Sequence, residues 1–141
     1  MVRLFYLDSS VAIRILTLES MAAAKWFDAL TETKPGALIS SRLLRTEITR
    51  VLLRDDQPLE RRSEILDYVS TIPLNVAILN TADLITMKLK TLDAIHLASA
   101  IASGLDPVIV THDARMAGVA SELGFTVHDP VTDDPKRSPV A

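Results

Sequence analysis

The sequence has 141 residues, a usual length for one domain, which can bury about two-thirds of its unfolded surface. Its 48% hydrophobic and 23% charged residues are typical of a globular protein, and aromatic residues make up only 4%, so aliphatic side chains must fill the core. The lack of Cys excludes disulfides, thiolate zinc sites and a cysteine nucleophile. A net charge of −3 argues against a globally basic nucleic-acid binder.

The N-terminal residues do not predict an export signal. Their apolar run is broken by Asp8 and no small-residue cleavage site follows it. No stretch approaches the roughly 20 consecutive apolar residues that a membrane-spanning helix needs. We therefore expect a cytoplasmic protein.

Short apolar runs alternate with longer segments of helical period, which predicts an α/β domain with a mostly parallel sheet of four to five strands. The predicted strands cover residues 3–7, 37–39, 75–78, 108–110 and 125–127. The predicted helices cover residues 9–16, 20–30, 41–54, 59–69, 81–88, 92–103 and 114–123. Residues 1–128 form one predicted domain. The Pro-containing tail, residues 129–141, has little apolar content and is expected to be loosely ordered.

Two acids follow predicted strands. Asp8 ends the first apolar run, and Asp113 follows Val108-Ile109-Val110 after two intervening residues. Because the carboxyl ends of parallel strands open onto the crevice where ligands bind, both carboxylates are expected at that edge of the sheet. Each could instead cap the helix that follows it. The occurrence of the same arrangement at two strand ends favours the site interpretation.

Glu47 interrupts an apolar stripe on the predicted helix 41–54. Leu44 lies three residues before it and Val51 four residues after it, on the same face. A buried carboxylate without a partner costs several kcal/mol or takes up a proton, so such a residue usually has a cationic partner. The sequence offers two interpretations: a structural pair with Arg45 or Arg50, or a metal site.

Asp93 and His96 lie in the segment LKTLDAIHLASAIASG, whose apolar residues cover most of the predicted helix surface. This helix is therefore expected to be heavily buried, and an acid in its first turn needs more explanation than a favourable helix dipole. A carboxylate and an imidazole three residues apart are a weak metal signal, so we expect His96 to be a hydrogen-bonded core residue. Carboxylate oxygens alone suit Mg²⁺ or Mn²⁺ better than zinc.

Four segments together resemble a known family. The opening LDSS with Asp8 and Ser10, the Arg-Thr-Glu ending in Glu47, the LDAIHLASA around Asp93 and the VTHD ending in Asp113 resemble the ordered acidic signature of PIN domains. The length and the order of elements are similar to those of the compact VapC toxins. The resemblance covers nearly the whole chain.

This resemblance implies a three-layer α/β/α fold and an endoribonuclease activity that depends on Mg²⁺ or Mn²⁺. It implies that the four acids bind or organise one or two metal ions that activate water for hydrolysis of RNA. Ser10 and Thr111 match the family's hydroxyl positions and could orient a bound water, although capping explains both hydroxyls equally well.

The resemblance also implies partners. An acidic pocket repels RNA until metal neutralises it, so nearby cations should guide the RNA, and Arg14, Arg42 and Arg45 are the candidates. Residues 42–62 contain six Arg and four acids, a net +2, which fits phosphate contacts or simply a solvated helix face. A small VapB-like antitoxin and a homodimer are implied as well, with apolar side chains on the early helices as the interface.

Two other classes of function stay open at this point. A Mg²⁺-dependent phosphohydrolase or phospho-acceptor would also use Asp8 at a strand end. Ser9 and Ser10 follow it, however, where the common phosphatase motif has a second Asp, and no Lys follows a late strand. A PIN-like module that has lost activity and only binds partners is the other alternative, and the presence of all four acids disfavours it.

Overall fold

A parallel sheet of five short strands forms the middle layer in a computed structural model that describes residues 3–134. The strands are β1 (Phe5–Leu7), β2 (Leu38–Ser41), β3 (Ser70–Ile72), β4 (Val108–Val110) and β5 (Val127–His128). They lie in the order β3-β2-β1-β4-β5. The chain thus builds outward from β1 on one side and then on the other. The resulting switch point lies between β1 and β4, where ligands bind in open α/β sheets.

Helices cover both faces of the sheet. They are α1 (Ser9–Leu16), α2 (Met21–Thr33), α3 (Leu43–Arg54), α4 (Ser63–Leu66), α5 (Val76–Asp83), α6 (Thr91–Ser103) and α7 (Ala114–Glu122), with 3₁₀ turns at Leu59–Arg62 and Pro130–Asp133. Within residues 3–134, none of these helices has the length and apolar character required to cross a membrane.

Successive side chains along each strand point to opposite faces of the sheet, so the core has two halves. Leu7 and Val110 pack with α1, α2 and α3 on one face. Tyr6 and Ile109 point to the opposite face and pack with α6 and α7. The predicted three-layer α/β/α architecture is therefore confirmed.

The prediction for residues 75–78 as a strand is wrong. Asn75 caps α5 there, with its side-chain oxygen accepting a hydrogen bond from the Ile78 N–H at 2.9 Å. The apolar run Val76-Ala77-Ile78 is too short for periodicity to separate strand from helix, and the capping Asn decides the outcome. The third strand lies earlier, at residues 70–72, as a partly exposed edge strand.

Two predicted helices are also wrong in extent. Residues 59–69 form a 3₁₀ turn and the short α4, which stops before β3 begins. The predicted helix 81–88 is replaced by the end of α5 and a segment without regular secondary structure, residues 84–90. In that segment Ile85, Met87 and Leu89 are partly buried against the core and the residues between them are exposed. The period is two, as in a strand, although none of the five strands described in residues 3–134 pairs with it.

Residues 129–134, the beginning of the predicted tail, contact the rest of the protein. Pro130 is buried in the second 3₁₀ turn. Asp134 accepts hydrogen bonds from the Ser20 hydroxyl at 2.5 Å and the Ala22 N–H at 2.7 Å, at the start of α2. The polar, Pro-containing composition did not predict these contacts, because they are made with residues more than a hundred positions away. Residues 135–141 lie outside the described residues.

Candidate active site

A pocket of about 360 Å³ opens at the carboxyl ends of the central strands. Asp8 follows β1 directly, and Asp113 lies just beyond β4. Glu47 enters from α3 and Asp93 from the first turn of α6. All four of the acids that the sequence singles out line this one pocket.

Asp8 is almost completely buried, with 1% of its surface exposed. Its Oδ2 accepts hydrogen bonds from the Ser10 hydroxyl at 2.6 Å, the Thr111 hydroxyl at 2.9 Å and, more weakly, the Ser10 N–H at 3.3 Å. Its Oδ1 is buried without a hydrogen-bond partner, the only such side-chain atom within residues 3–134. Capping of α1 explains the burial of Oδ2 but not that of Oδ1. A buried carboxylate oxygen without a donor is costly and suits a cation.

Ser10 and Thr111 connect the loops that follow β1 and β4. Their hydroxyls lie 3.2 Å apart. The Ser10 hydroxyl also accepts the His112 N–H at 3.0 Å, and the Thr111 hydroxyl accepts the Asp113 N–H at 3.1 Å. Both hydroxyls therefore hold Asp8 in place across the switch point.

Glu47 has a partner that the sequence interpretation did not identify. Its Oε1 lies 2.5 Å from Nε2 of His96, whereas Arg45 and Arg50 are exposed on α3. The structural pairing with Arg is thus replaced by pairing with an imidazole. His96 is fully buried and also contacts the Tyr6 hydroxyl through Nδ1 at 2.7 Å, which confirms the expected hydrogen-bonded core histidine.

Asp93 is half-buried and has a strongly perturbed acidity. Burial raises its pKa from 3.8 to about 6, and repulsion by Asp8, Asp113 and Glu47 adds to the effect, while His96 opposes it. The neighbouring acids therefore destabilise the charged form of Asp93. The helix around Asp93 is less buried than predicted, because Leu92 and Ile101 are 46% and 39% exposed.

The donor set suits a hard divalent cation. The lining of the pocket offers carboxylate and hydroxyl oxygens, with the buried Oδ1 of Asp8 lacking a donor. Within residues 3–134, no three His, Asp or Glu side chains are already grouped to hold an ion. Glu47 is hydrogen-bonded to His96, and Asp113 caps α7 by accepting the Met116 N–H at 2.9 Å. The chemistry of the pocket fits Mg²⁺ or Mn²⁺.

The predicted RNA-guiding arginines are absent from the lining of the pocket. Arg14 donates to the backbone oxygen of Ser10 at 2.8 Å, and Arg42 donates to the Thr46 hydroxyl at 3.1 Å. The cation that lines the pocket is Lys90, which the sequence interpretation missed. Its position immediately before the helix that carries Asp93 was the available signal.

Comparison with known proteins agrees with this architecture. The family model of the PIN domain matches residues 5–122. Ribonuclease VapC46 of Mycobacterium tuberculosis is 32% identical over 130 residues, covering 89% of this chain and 96% of that protein. Ribonuclease VapC35 of the same species is 30% identical over 134 residues, covering 90% and 97%.

Two solved structures share the fold. One is a toxin-antitoxin complex from Klebsiella pneumoniae, with a TM-score of 0.66, 21% identity and coverage of 89% of this chain and 96% of that one. The other is VapBC2 from Rickettsia felis bound to a DNA fragment from their promoter, with a TM-score of 0.64, 10% identity and coverage of 89% and 98%. The chain belongs to the PIN domain family. Its relatives within that family are VapC proteins.

Proposed function

We propose that this protein is a divalent-metal-dependent endoribonuclease and the toxin of a toxin-antitoxin pair. The observation that carries the metal site is the buried Asp8 carboxylate, whose Oδ1 has no hydrogen-bond partner in a pocket shared with three further acids. The relatives named ribonucleases support RNA as the substrate. The structural neighbour described as a toxin-antitoxin complex supports the biological role.

In this proposal Asp8, Glu47, Asp93 and Asp113 hold Mg²⁺ or Mn²⁺ through their carboxylate oxygens. When bound by these residues, such an ion would lower the pKa of a water molecule and neutralise charge at the phosphate. Ser10 and Thr111 act on Asp8: their donation to Oδ2 fixes the carboxylate and leaves Oδ1 for the cation. Asp113, held by its cap on α7, contributes from the neighbouring strand end.

Metal removal tests the activity. With Mn²⁺ or Mg²⁺, the purified protein is expected to cut RNA internally and leave 5′-phosphate and 3′-hydroxyl ends, because activated water rather than a side chain attacks the phosphate. Excess EDTA is expected to stop cutting, and added Mn²⁺ to restore it. End-labelled RNA on denaturing gels measures both results. Cutting that persists in EDTA would refute the metal site, and a phosphoryl group trapped on Asp8 would identify a phospho-acceptor instead.

Lys90 is the side chain that we propose to contact an RNA phosphate. It is exposed, lines the acidic pocket and follows the segment anchored by Ile85, Met87 and Leu89. Arg42 and Arg45, exposed on the helix that carries Glu47, are the next candidates, and Arg14 is a weaker one because its guanidinium is hydrogen-bonded to the backbone.

Lys90→Ala is expected to weaken RNA binding and to reduce the slope of log affinity against log salt by about 1, the loss of one phosphate contact. Fluorescence anisotropy at several KCl concentrations measures both quantities, with Mg²⁺ present and a cleavage-resistant RNA analogue, so that the acidic pocket is neutralised and the RNA stays intact. Lys34→Ala is the matched control, because Lys34 is an exposed lysine that precedes β2 and so lies at the opposite edge of the sheet. Equal losses in both variants would contradict a local contact.

We also propose an antitoxin partner and a homodimer. Large apolar side chains are exposed on and beside the early helices: Leu18 is 66% exposed, Met21 56% and Leu53 48%. Large exposed apolar side chains can be buried by contact with another protein. A second set lies on and after α5, where Val76 is 71% exposed and Leu84 78%. These two surfaces support the two proposed contacts.

A further inference from the structure

Three side chains form a hydrogen-bonded series from the sheet to the pocket. The Tyr6 hydroxyl lies 2.7 Å from Nδ1 of His96, and Nε2 of the same ring lies 2.5 Å from Oε1 of Glu47. Tyr6 is two residues before Asp8 on the central strand, and His96 is one helical turn after Asp93. The series therefore joins the three elements that carry Asp8, Asp93 and Glu47.

Burial makes this series rigid. Tyr6 and His96 are both 0% exposed, and their rings pack edge to face with centroids 5.8 Å apart. Burial also raises the pKa of Tyr6, so its hydroxyl keeps its proton. Two rings without access to water, each held by packing and by a hydrogen bond, have little freedom to turn.

The Glu47 carboxylate, at the end of the series, determines the direction of the hydrogen bonds. The Glu47 carboxylate can only accept, so Nε2 of His96 carries the proton and donates it to Oε1. The Tyr6 hydroxyl contacts the other ring nitrogen and fixes the ring plane. Glu47 is 16% exposed at its side chain and lines the pocket, so the group that His96 holds is a proposed ligand.

We propose that His96 is a positioning residue that fixes Glu47 Oε1 and thereby aims the rest of the carboxylate into the acidic pocket, with Tyr6 holding His96. This inference rests on the proposed function, in which Glu47 binds the metal. Groups that orient metal ligands in this way typically change metal affinity or activity 10- to 100-fold when removed. A purely structural bond between α3 and α6 would affect stability without affecting metal affinity in particular.

The test compares His96→Leu with His96→Gln by titrating each metal-free protein with Mn²⁺ in a calorimeter and by recording its thermal melt. Leu removes the donor, and Mn²⁺ affinity is expected to fall about 10- to 100-fold. The Gln amide can donate to Glu47 from nearly the position of Nε2, so its Mn²⁺ affinity is expected to stay within a few-fold of wild type. Tyr6→Phe keeps the ring and loses the hydroxyl, and a several-fold loss is expected.

The outcomes separate the two proposals. Absence of Mn²⁺ binding by the wild-type protein would overturn the proposed metal site. Wild-type binding together with equal Mn²⁺ affinity in a folded His96→Leu variant would overturn the positioning role, whatever its melting temperature. If His96→Leu fails to fold, Tyr6→Phe tests the positioning role instead. Unchanged Mn²⁺ affinity in Tyr6→Phe would overturn the proposal that Tyr6 and His96 position Glu47.

Discussion

Asp8→Asn is expected to reduce RNA cleavage by at least about 100-fold, because a group in direct contact with the metal should matter more than one that only orients a ligand. The substitution removes the negative charge and replaces the unpartnered oxygen or its neighbour with an amide nitrogen. An initial-rate assay with labelled RNA at saturating Mn²⁺ measures the loss.

The same substitution is expected to leave the metal-free protein as stable as wild type or more stable. The Asn oxygen can still accept from Ser10 and Thr111, and the amide nitrogen takes the place of the oxygen without a donor. Loss of the buried charge is expected to offset the cost of the amide N–H groups, because burying a charge costs more than burying a neutral polar group. Mn²⁺ should raise the melting temperature of the wild type, since a ligand that binds only the folded state stabilises it, and should not raise that of Asp8→Asn.

Asp28→Asn is the matched control for charge. Asp28 is exposed on α2 and is absent from the lining of the pocket. The Asp28→Asn variant should cut RNA at the wild-type rate, and Mn²⁺ should raise its melting temperature as it does for wild type. An Asp8→Asn protein that is folded and fully active would rule out Asp8 as a metal ligand.

Asp93→Asn is expected to reduce cleavage on the same scale and to change how stability depends on pH. The pKa of Asp93 in the folded protein is raised from 3.8 to about 6, so between these values the folded state binds more protons than the unfolded state. The stability contributed by that proton is fully present below pH 3.8 and is lost as pH rises through about 6.

In EDTA, therefore, Asp93→Asn should be more stable than wild type at pH 8, and the difference should shrink towards pH 4. Urea unfolding at pH 4, 6 and 8 measures the free energy of unfolding of both proteins, with Asp28→Asn as the control. A stability difference that does not vary with pH would show that the ionisation of Asp93 is not responsible. Mn²⁺ should also bind wild type more weakly below about pH 6, because the ion competes with the proton.

The strands and helices that form the acidic pocket could be predicted because their local sequence patterns agree with the overall fold. Val108-Ile109-Val110 is a β-branched run that ends before a capping Asp, and α6 has helical period and a terminal Gly104 in the left-handed conformation. The sequence did not predict β3 because it is a three-residue edge strand with two exposed side chains. Such a strand has no apolar alternation to detect.

The acids of the site could be predicted from the sequence, but the hydrogen bonds and contacts between the site residues could not. Parallel strand ends bring Asp8 and Asp113 together by geometry alone. The bond from His96 to Glu47 joins positions 49 residues apart on different helices, and no local period encodes it. Lys90 lines the pocket after a segment without regular secondary structure, residues 84–90, most of which lies in the predicted helix 81–88. The unpartnered oxygen of Asp8 is likewise a property of packing.

The hydrogen bond from Thr111 to Asp8 spans 103 positions, and the one from Ser20 to Asp134 spans 114. During translation Asp8 is made long before β4 and the loop after it, which complete its surroundings. A nascent chain without residues 108–113 lacks β4, Thr111 and Asp113. Cutting activity is therefore expected only after residues 108–113 have been made, because β4, Thr111 and Asp113 complete the surroundings of Asp8.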